Sequence, residues 1–386
     1  MRALVVGTGC CGAAAARRLA ELGWQVTVID RRNHIGGNAY DCRDEYGILY
    51  HVYGPHIFFT DQERVWEFLR PFARWTPFRC ALRVWIEGNS YPMPFQPETL
   101  RQLLPDNGEA AISAMTQAWE GRESVTVLEL LNASDPLLRQ VGRRLYNCDC
   151  APYNQKQWGL RPEELSPEVI ARAPVYLKDR KEFRPERFQF MPEEGFTALF
   201  RSMLDHPAIT VCTGVDASEL MAVSDGQITW KTGRKWDAVL YTGTLDRLFG
   251  YWAGPLPYRT LRFDREYCPS EEGLPCLAMY YPGRNIPWTR RTDYRYLPGN
   301  GRELRRTLIV GERPGPMEGP EDEPYYVVLT KQYKARYKVY RELLEQIPHL
   351  YAAGRLADFQ YYNMDAAVGR GLDAAEELHR REGRNP

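Results

Sequence analysis

The chain has 386 residues, 44% of them hydrophobic, and 50 Lys and Arg balance 50 Asp and Glu for a formal net charge of zero. That length fits two or three domains around a large core, and the charge balance gives no global field for nucleic acid or an anionic membrane. No stretch is apolar enough for long enough to span a bilayer. The nine cysteines lack paired CxxC spacing and read as reduced thiols, with no metal site and no disulfide framework. Met1 leads almost directly into the apolar run ALVV, which leaves no room for a cleavable leader, so the expected location is the cytoplasm. A small molecule is the expected partner.

Leu4–Val6 reads as a buried parallel strand, Ala13–Leu22 as an alanine-rich helix stopped by Gly23, and Gln25–Ile29 as a second strand. Between the first strand and the helix, Gly7, Gly9 and Gly12 allow a tight turn, close approach of a diphosphate and close helix–strand packing. Asp30 ends the second strand at the spacing of the acid that accepts from an adenosine ribose. This fingerprint calls for a dinucleotide without choosing between NAD and FAD. The Gly36-Gly37 pair in RRNHIGGNAY (31–40) brings backbone close to the diphosphate, as in flavoproteins of the glutathione-reductase type, and favours FAD.

Further along, ALRVWIEGNSYPMPF (81–95), RTLRFDREY (259–267), CLAMYY (276–281) and RRTLIVGE (305–312) alternate as antiparallel strands do. Residues 98–172 hold four helix-like stretches, PETLRQLL, EAAISAMTQAWEG, SVTVLELL and DPLLRQVGRRLY. AITVCTG (208–214) and AVLYTG (238–243) are short strands that return the chain to the dinucleotide domain. RPGPMEGPEDEP (313–324) reads as loop, and MDAAVGRGLDAAEELHRR (364–381) as a helix. The expected fold is α/β: a Rossmann-type FAD-binding domain (1–80, 193–255 and 325–386) with an inserted helical bundle (98–172) and an antiparallel β-sheet domain (81–97 and 256–324).

VYGPHIFFT (52–60), YNQKQWG (153–159), IPWTR (286–290), DEPYY (322–326) and GRLADFQYYNM (354–364), together with RRNHIGGNAY, occur in order along nearly the whole chain. On these segments the chain resembles bacterial UDP-galactopyranose mutases. The resemblance implies a flavoenzyme that interconverts the pyranose and furanose forms of a nucleotide-linked hexose, UDP-galactose by default, with no net redox change. By the same resemblance FAD is expected to act in its reduced form: its N5 attacks the anomeric carbon and displaces the nucleoside diphosphate, the flavin–sugar adduct opens and recloses through the other hydroxyl, and the returning diphosphate releases the sugar from N5. No Ser-His-Asp or paired-carboxylate machinery is expected, and a homodimer is implied.

Carried over position by position, the cofactor is held by Gly7, Gly9, Cys11, Gly12, Asp30 and Arg31, by Gly37 and Asn38, and by His56 and Ile57 facing the isoalloxazine. Arg355, Tyr362, Asn363 and Met364 complete the flavin side, the arginine favouring the anionic reduced form. Arg172 and Arg290 correspond to the two arginines that grip the substrate diphosphate, the first on a mobile loop near 172–185. With His56 they make up the catalytic set around flavin N5. Asn154, Trp158, Tyr326 and Tyr361 line the nucleotide and sugar.

Some positions depart from the mutase pattern. Phe59 replaces a flavin-side His and Asn363 an Asp; Phe183 stands for a nucleotide-side Tyr, and Cys80 and Tyr280 for two Asn contacts. A site built to bond one group rejects analogues strongly, so a GDP-linked hexose such as GDP-galactose, or a dTDP-sugar, is the runner-up substrate. A flavin amine oxidase relative and a non-catalytic nucleotide-sugar binder are the remaining alternatives.

Overall fold

The apolar N-terminal run forms the strand Arg2–Val6, in which Ala3, Leu4 and Val5 are fully buried, as in a parallel sheet covered on both faces. In the computed structural model, which describes residues 1–165, 174–180, 185–301, 304–319 and 322–383, this strand lies at the centre of a five-stranded sheet. The order is Ile209–Thr213, Gln25–Asp30, Arg2–Val6, Ala238–Tyr241, Leu350–Ala352, with every neighbouring pair parallel.

The first helix, Cys10–Glu21, starts at Cys10, ahead of the alanine run, because helical geometry begins directly after the extended Gly9. Its buried alanines, Ala13 to Ala16, keep the surface low enough for close packing. The helix Met364–Glu382 crosses it where a Cβ on Gly371 would stand 2.3 Å from the Cys11 carbonyl oxygen, so only glycine fits.

The chain divides into two compact units: Met1–Phe78, Glu186–Tyr258 and Pro324–Pro386 form the first, Arg79–Pro185 and Arg259–Glu323 the second. Besides the parallel sheet, the first unit holds the antiparallel strands Phe58–Thr60, Phe188–Pro192 and Trp75–Pro77. Trp66 stacks on Phe190 there, with ring centroids 4.5 Å apart.

In the second unit the sheet runs in the order Tyr258–Pro269 (entering the unit at Arg259), Arg306–Pro316, Arg290–Asp293, Ala278–Tyr280, Leu82–Ile86, Asn89–Met93. It is not uniformly antiparallel. Ala278–Tyr280 pairs in parallel with Leu82–Ile86, which is possible because a long stretch of chain, not a hairpin, connects them. The strand Arg306–Pro316 also continues into the RPGP expected as loop; past Glu312 it pairs with one neighbour alone, where proline is tolerated.

The same unit contains Pro97–Leu103, Gly108–Ala118, Val127–Leu131, Pro136–Leu145 and Ala151–Trp158, the last two joined through a π-helical turn, Tyr146–Cys150. Leu100, Met115, Leu130, Leu138, Val141 and Leu145 fall on their buried sides. SVTVLELL is helical only from Val127. Its β-branched start, Ser124–Thr126, pairs with Pro174–Tyr176, and Thr126 then forms a capping box with Glu129. None of the nine cysteines is in a disulfide, and among the described residues no helix is long and apolar enough to cross a membrane.

Candidate functional site

The glycine turn has the geometry a diphosphate cradle needs. Gly7 sits at φ +107°, a Cβ on Gly12 would meet the Gly7 carbonyl oxygen at 1.9 Å, and a Cβ on Gly37 would lie 2.9 Å from the Gly9 Cα. The two glycine segments thus press backbone to backbone. No side chain caps the helix that starts at Cys10, so its first-turn N–H groups and positive end are left for an anion. Asp30 is buried; its Oδ2 accepts from the Thr8 backbone N–H (2.9 Å) and hydroxyl (2.6 Å), and its Oδ1 from Arg32 N–H (3.0 Å). A lone pair remains on Oδ1 for a ribose hydroxyl. These residues fit the flavin dinucleotide that the sequence called for.

Around this turn Arg32 donates to the Asn38 side chain at 2.7 Å, while Arg31 is exposed with its charge near Asp216. Cys11 is buried, and burial drives its thiol far above the ordinary range, so it acts as a packing group. Arg355 lies close enough to Cys10 to oppose the burial that raises that thiol, and it covers the rings of Tyr325 (5.3 Å) and Tyr361 (5.9 Å). Tyr361 stacks on Tyr326 at 5.8 Å, which brings three of the expected residues into one cluster. Beneath them Asp358 gathers the Gly354 N–H (3.1 Å), the Tyr362 hydroxyl (2.9 Å) and the Arg370 guanidinium (3.0 Å). Asn363 is the exposed N-cap residue of the helix beginning at Met364, and Ile57 is half-buried.

His56 is held from two sides. Its ring Nδ1 lies 2.8 Å from the Gly54 carbonyl, which can only accept, so Nδ1 carries a proton. Its backbone N–H donates to His51 Nδ1 at 2.8 Å. His51 therefore carries its proton on Nε2, 3.9 Å from Asp41 Oδ2, and burial pulls its pKa down to about 3. Asp41 in turn accepts from the backbone of Phe196 (2.5 Å) and Thr197 (2.9 Å) at the start of the helix Phe196–Leu204. Sequence reasoning missed His51 and Asp41 because neither carries a motif of its own. Phe59 lies half-buried on the strand Phe58–Thr60.

In the second unit Arg290 faces Glu312, with Nε–Oε1 at 2.7 Å and Nη2–Oε2 at 2.9 Å, and its Nη1 donates to the Tyr280 hydroxyl at 3.3 Å. Tyr280 lies 6.0 Å from Tyr153, ring to ring, and Cys80 is close by. Trp158 donates its indole N–H to Asn154 Oδ1 (3.2 Å), and Asn154 donates to the Cys150 carbonyl (2.8 Å), so both expected residues are buried and fixed in orientation. Lys156, also missed, donates to the carbonyls of Tyr281, Gly283, Ile286 and Trp288 at 2.6–3.1 Å and so staples the loop that delivers Arg290. Burial lowers this ammonium to about 8. Arg172 and Phe183 lie outside the described residues. Among the described residues no group of His, Cys, Asp and Glu could hold a metal.

The family model for UDP-galactopyranose mutase matches residues 150–361, and one for an NAD(P)-binding Rossmann-like domain matches residues 5–72. The chain is 31% identical to the dTDP-fucopyranose mutase of Escherichia coli, over 97% of each chain. It is also 31% identical to a probable UDP-galactopyranose mutase of Klebsiella pneumoniae, over 97% of this chain and 94% of that one. A crystal structure of reduced UDP-galactopyranose mutase superposes with a TM-score of 0.73 at 18% identity, covering 100% of this chain and 96% of that one, which extends the likeness to the fold. The chain belongs to the UDP-galactopyranose mutase family.

Proposed function

We propose that the protein is a flavin-dependent nucleotide-sugar mutase that interconverts pyranose and furanose forms of a UDP-linked hexose, UDP-galactose by default. The observation that carries this is full-length similarity to proteins named for UDP-galactopyranose and dTDP-fucopyranose. Those names favour a pyrimidine nucleotide over the GDP-linked alternative.

The cofactor is FAD, which in its reduced form supplies the nucleophile for the anomeric carbon. The open N-terminus of Cys10–Glu21 takes its diphosphate, and Asp30 accepts from its ribose. His56, oriented by its Nδ1–Gly54 hydrogen bond, contacts the flavin ring system, and the charge of Arg355 favours the anionic reduced form. Arg290 and Arg172 take the substrate diphosphate, with Trp158, Asn154 and Tyr280 beside the nucleotide and Tyr326 and Tyr361 beside the sugar. Nine cysteines outside any disulfide fit a reducing cytoplasm, and a homodimer is the expected assembly.

A competition assay tests the substrate. Reduced enzyme offered UDP-galactose and GDP-galactose together should turn over the UDP-sugar in preference; preference for the GDP-sugar would reverse the assignment.

A further inference from the structure

Asp149 is a buried acid without a structural task. It lies in the π-helical turn Tyr146–Cys150, is 6% exposed, and has no hydrogen bond or ion pair among the described residues. A carboxyl so placed costs several kcal/mol if ionised, unless something binds it.

The surroundings point to a base. Tyr153 and Asn154 follow one turn later on the same helix, and the Asp149 charge is felt at the Tyr153 phenol. Tyr153 faces Tyr280, whose hydroxyl receives Arg290, so acid, aromatic faces and phosphate-binding cation share one region of the second unit. Cys148 and Cys150 flank the acid, with thiols that burial holds protonated. Arg290 and Glu312 act on Tyr153, and no charged side chain offsets the burial of Asp149 itself.

We propose that Asp149, as a neutral carboxylic acid, reads the imide edge shared by uracil and thymine. Its carbonyl oxygen accepts from base N3–H while its O–H donates to an adjacent base carbonyl. An ionised carboxylate could still accept from N3–H, but it would face the two carbonyls that flank it. Burial supports the neutral form, pushing the group up to about 7. The inference rests on the mutase reading and deepens it by naming what selects the nucleotide.

The test is calorimetric binding of UDP-galactose to the oxidised holoenzyme between pH 6 and pH 8.5, since the diester phosphates of a nucleotide sugar do not titrate there. Wild-type affinity should fall as pH rises through about 7, approaching about tenfold per pH unit. Asp149→Asn offers a carbonyl and an N–H at every pH; its affinity should be flat across the range and exceed that of wild type at pH 8.5. Asp149→Leu should weaken binding by on the order of tenfold to a hundredfold at pH 6.

A flat wild-type profile, or affinity for GDP-galactose that rises with pH and exceeds that for UDP-galactose, would overturn the proposal; the second result would assign a carboxylate that reads guanine. A holoenzyme that isomerises UDP-galactose with a flat profile sinks only the role of Asp149. One that binds no nucleotide sugar at any pH sinks the functional reading with it.

Discussion

Arg290 and Glu312 stand directly opposite each other on the antiparallel strands Arg290–Asp293 and Arg306–Pro316, and the Arg290 guanidinium meets the Glu312 carboxylate at two points. Glu312 is almost wholly buried, so its charge is tolerable only because the arginine is there. The pair fixes the guanidinium plane and leaves Nη1 pointing toward Tyr280. Arg290→Met should therefore cost roughly 3 kcal/mol of stability in urea denaturation, by stranding a buried carboxylate. Combining it with Glu312→Leu should recover most of that stability but none of the turnover. If Arg290→Met alone left stability unchanged, the pair would not be holding Glu312 in place.

Two buried groups give stability opposite pH dependences. At His51, held down to about 3, the folded protein binds fewer protons than the unfolded chain over the window up to the ordinary histidine range. Its contribution is complete above that range and is lost as pH falls through the window. At Asp149, raised to about 7, the folded protein binds more protons between the ordinary carboxylate range and about 7, so stability falls as pH rises through that window. The slopes oppose each other in the wild type and separate in variants. Asp149→Asn should be more stable than wild type by a few kcal/mol at pH 8 and converge with it toward pH 4, whereas His51→Gln should flatten the acid side. A difference between wild type and Asp149→Asn that stayed constant from pH 4 to pH 8 would contradict this.

The glycine cradle gives a sharp expectation. Gly37→Ala forces an L side chain into φ +57° with its Cβ 2.9 Å from Gly9 Cα, so the variant should purify without visible flavin absorbance while keeping its fold by circular dichroism. Gly371→Ala must instead push the helices Cys10–Glu21 and Met364–Glu382 away from each other, costing about 1–3 kcal/mol. Retained flavin in the Gly37 variant would mean that the backbone contact does not belong to the site.

Residues whose roles are local are legible in the sequence, and residues whose roles depend on distant chain are not. Gly7, Gly9, Gly12 and Asp30 lie within one strand–turn–helix–strand unit, where local spacing is itself the geometry. Gly371 lies hundreds of residues from the Cys11 carbonyl it must avoid, and in sequence it is one glycine in a helix. Glu312 matters only through a strand register, and in a sequence a Glu on an alternating strand reads as a solvated face. Lys156 was visible in QKQW, but its four carbonyl partners come from a loop more than a hundred residues away. RPGP carries two prolines and a glycine, and only pairing with the strand Tyr258–Pro269 makes it extended.

Arg355 places a cation over Tyr361 and near the first turn of the helix Cys10–Glu21. Replacing it with Gln should make the flavin midpoint potential more negative by about 30 mV, the equivalent of about 1.4 kcal/mol on a two-electron couple, because the anionic reduced form loses a neighbouring charge. Spectroelectrochemical titration reads this directly, and an unchanged or more positive potential would place Arg355 away from the flavin ring.

The central claim is redox-neutral isomerisation. Enzyme reduced anaerobically with one equivalent of dithionite per flavin and given a large excess of UDP-galactose should convert many sugars per flavin between pyranose and furanose forms. Chromatography should show a sugar of unchanged mass, and the flavin should remain reduced at the end. Conversion that stops at one sugar per flavin, or a product sugar whose mass shows oxidation or reduction, would contradict the account.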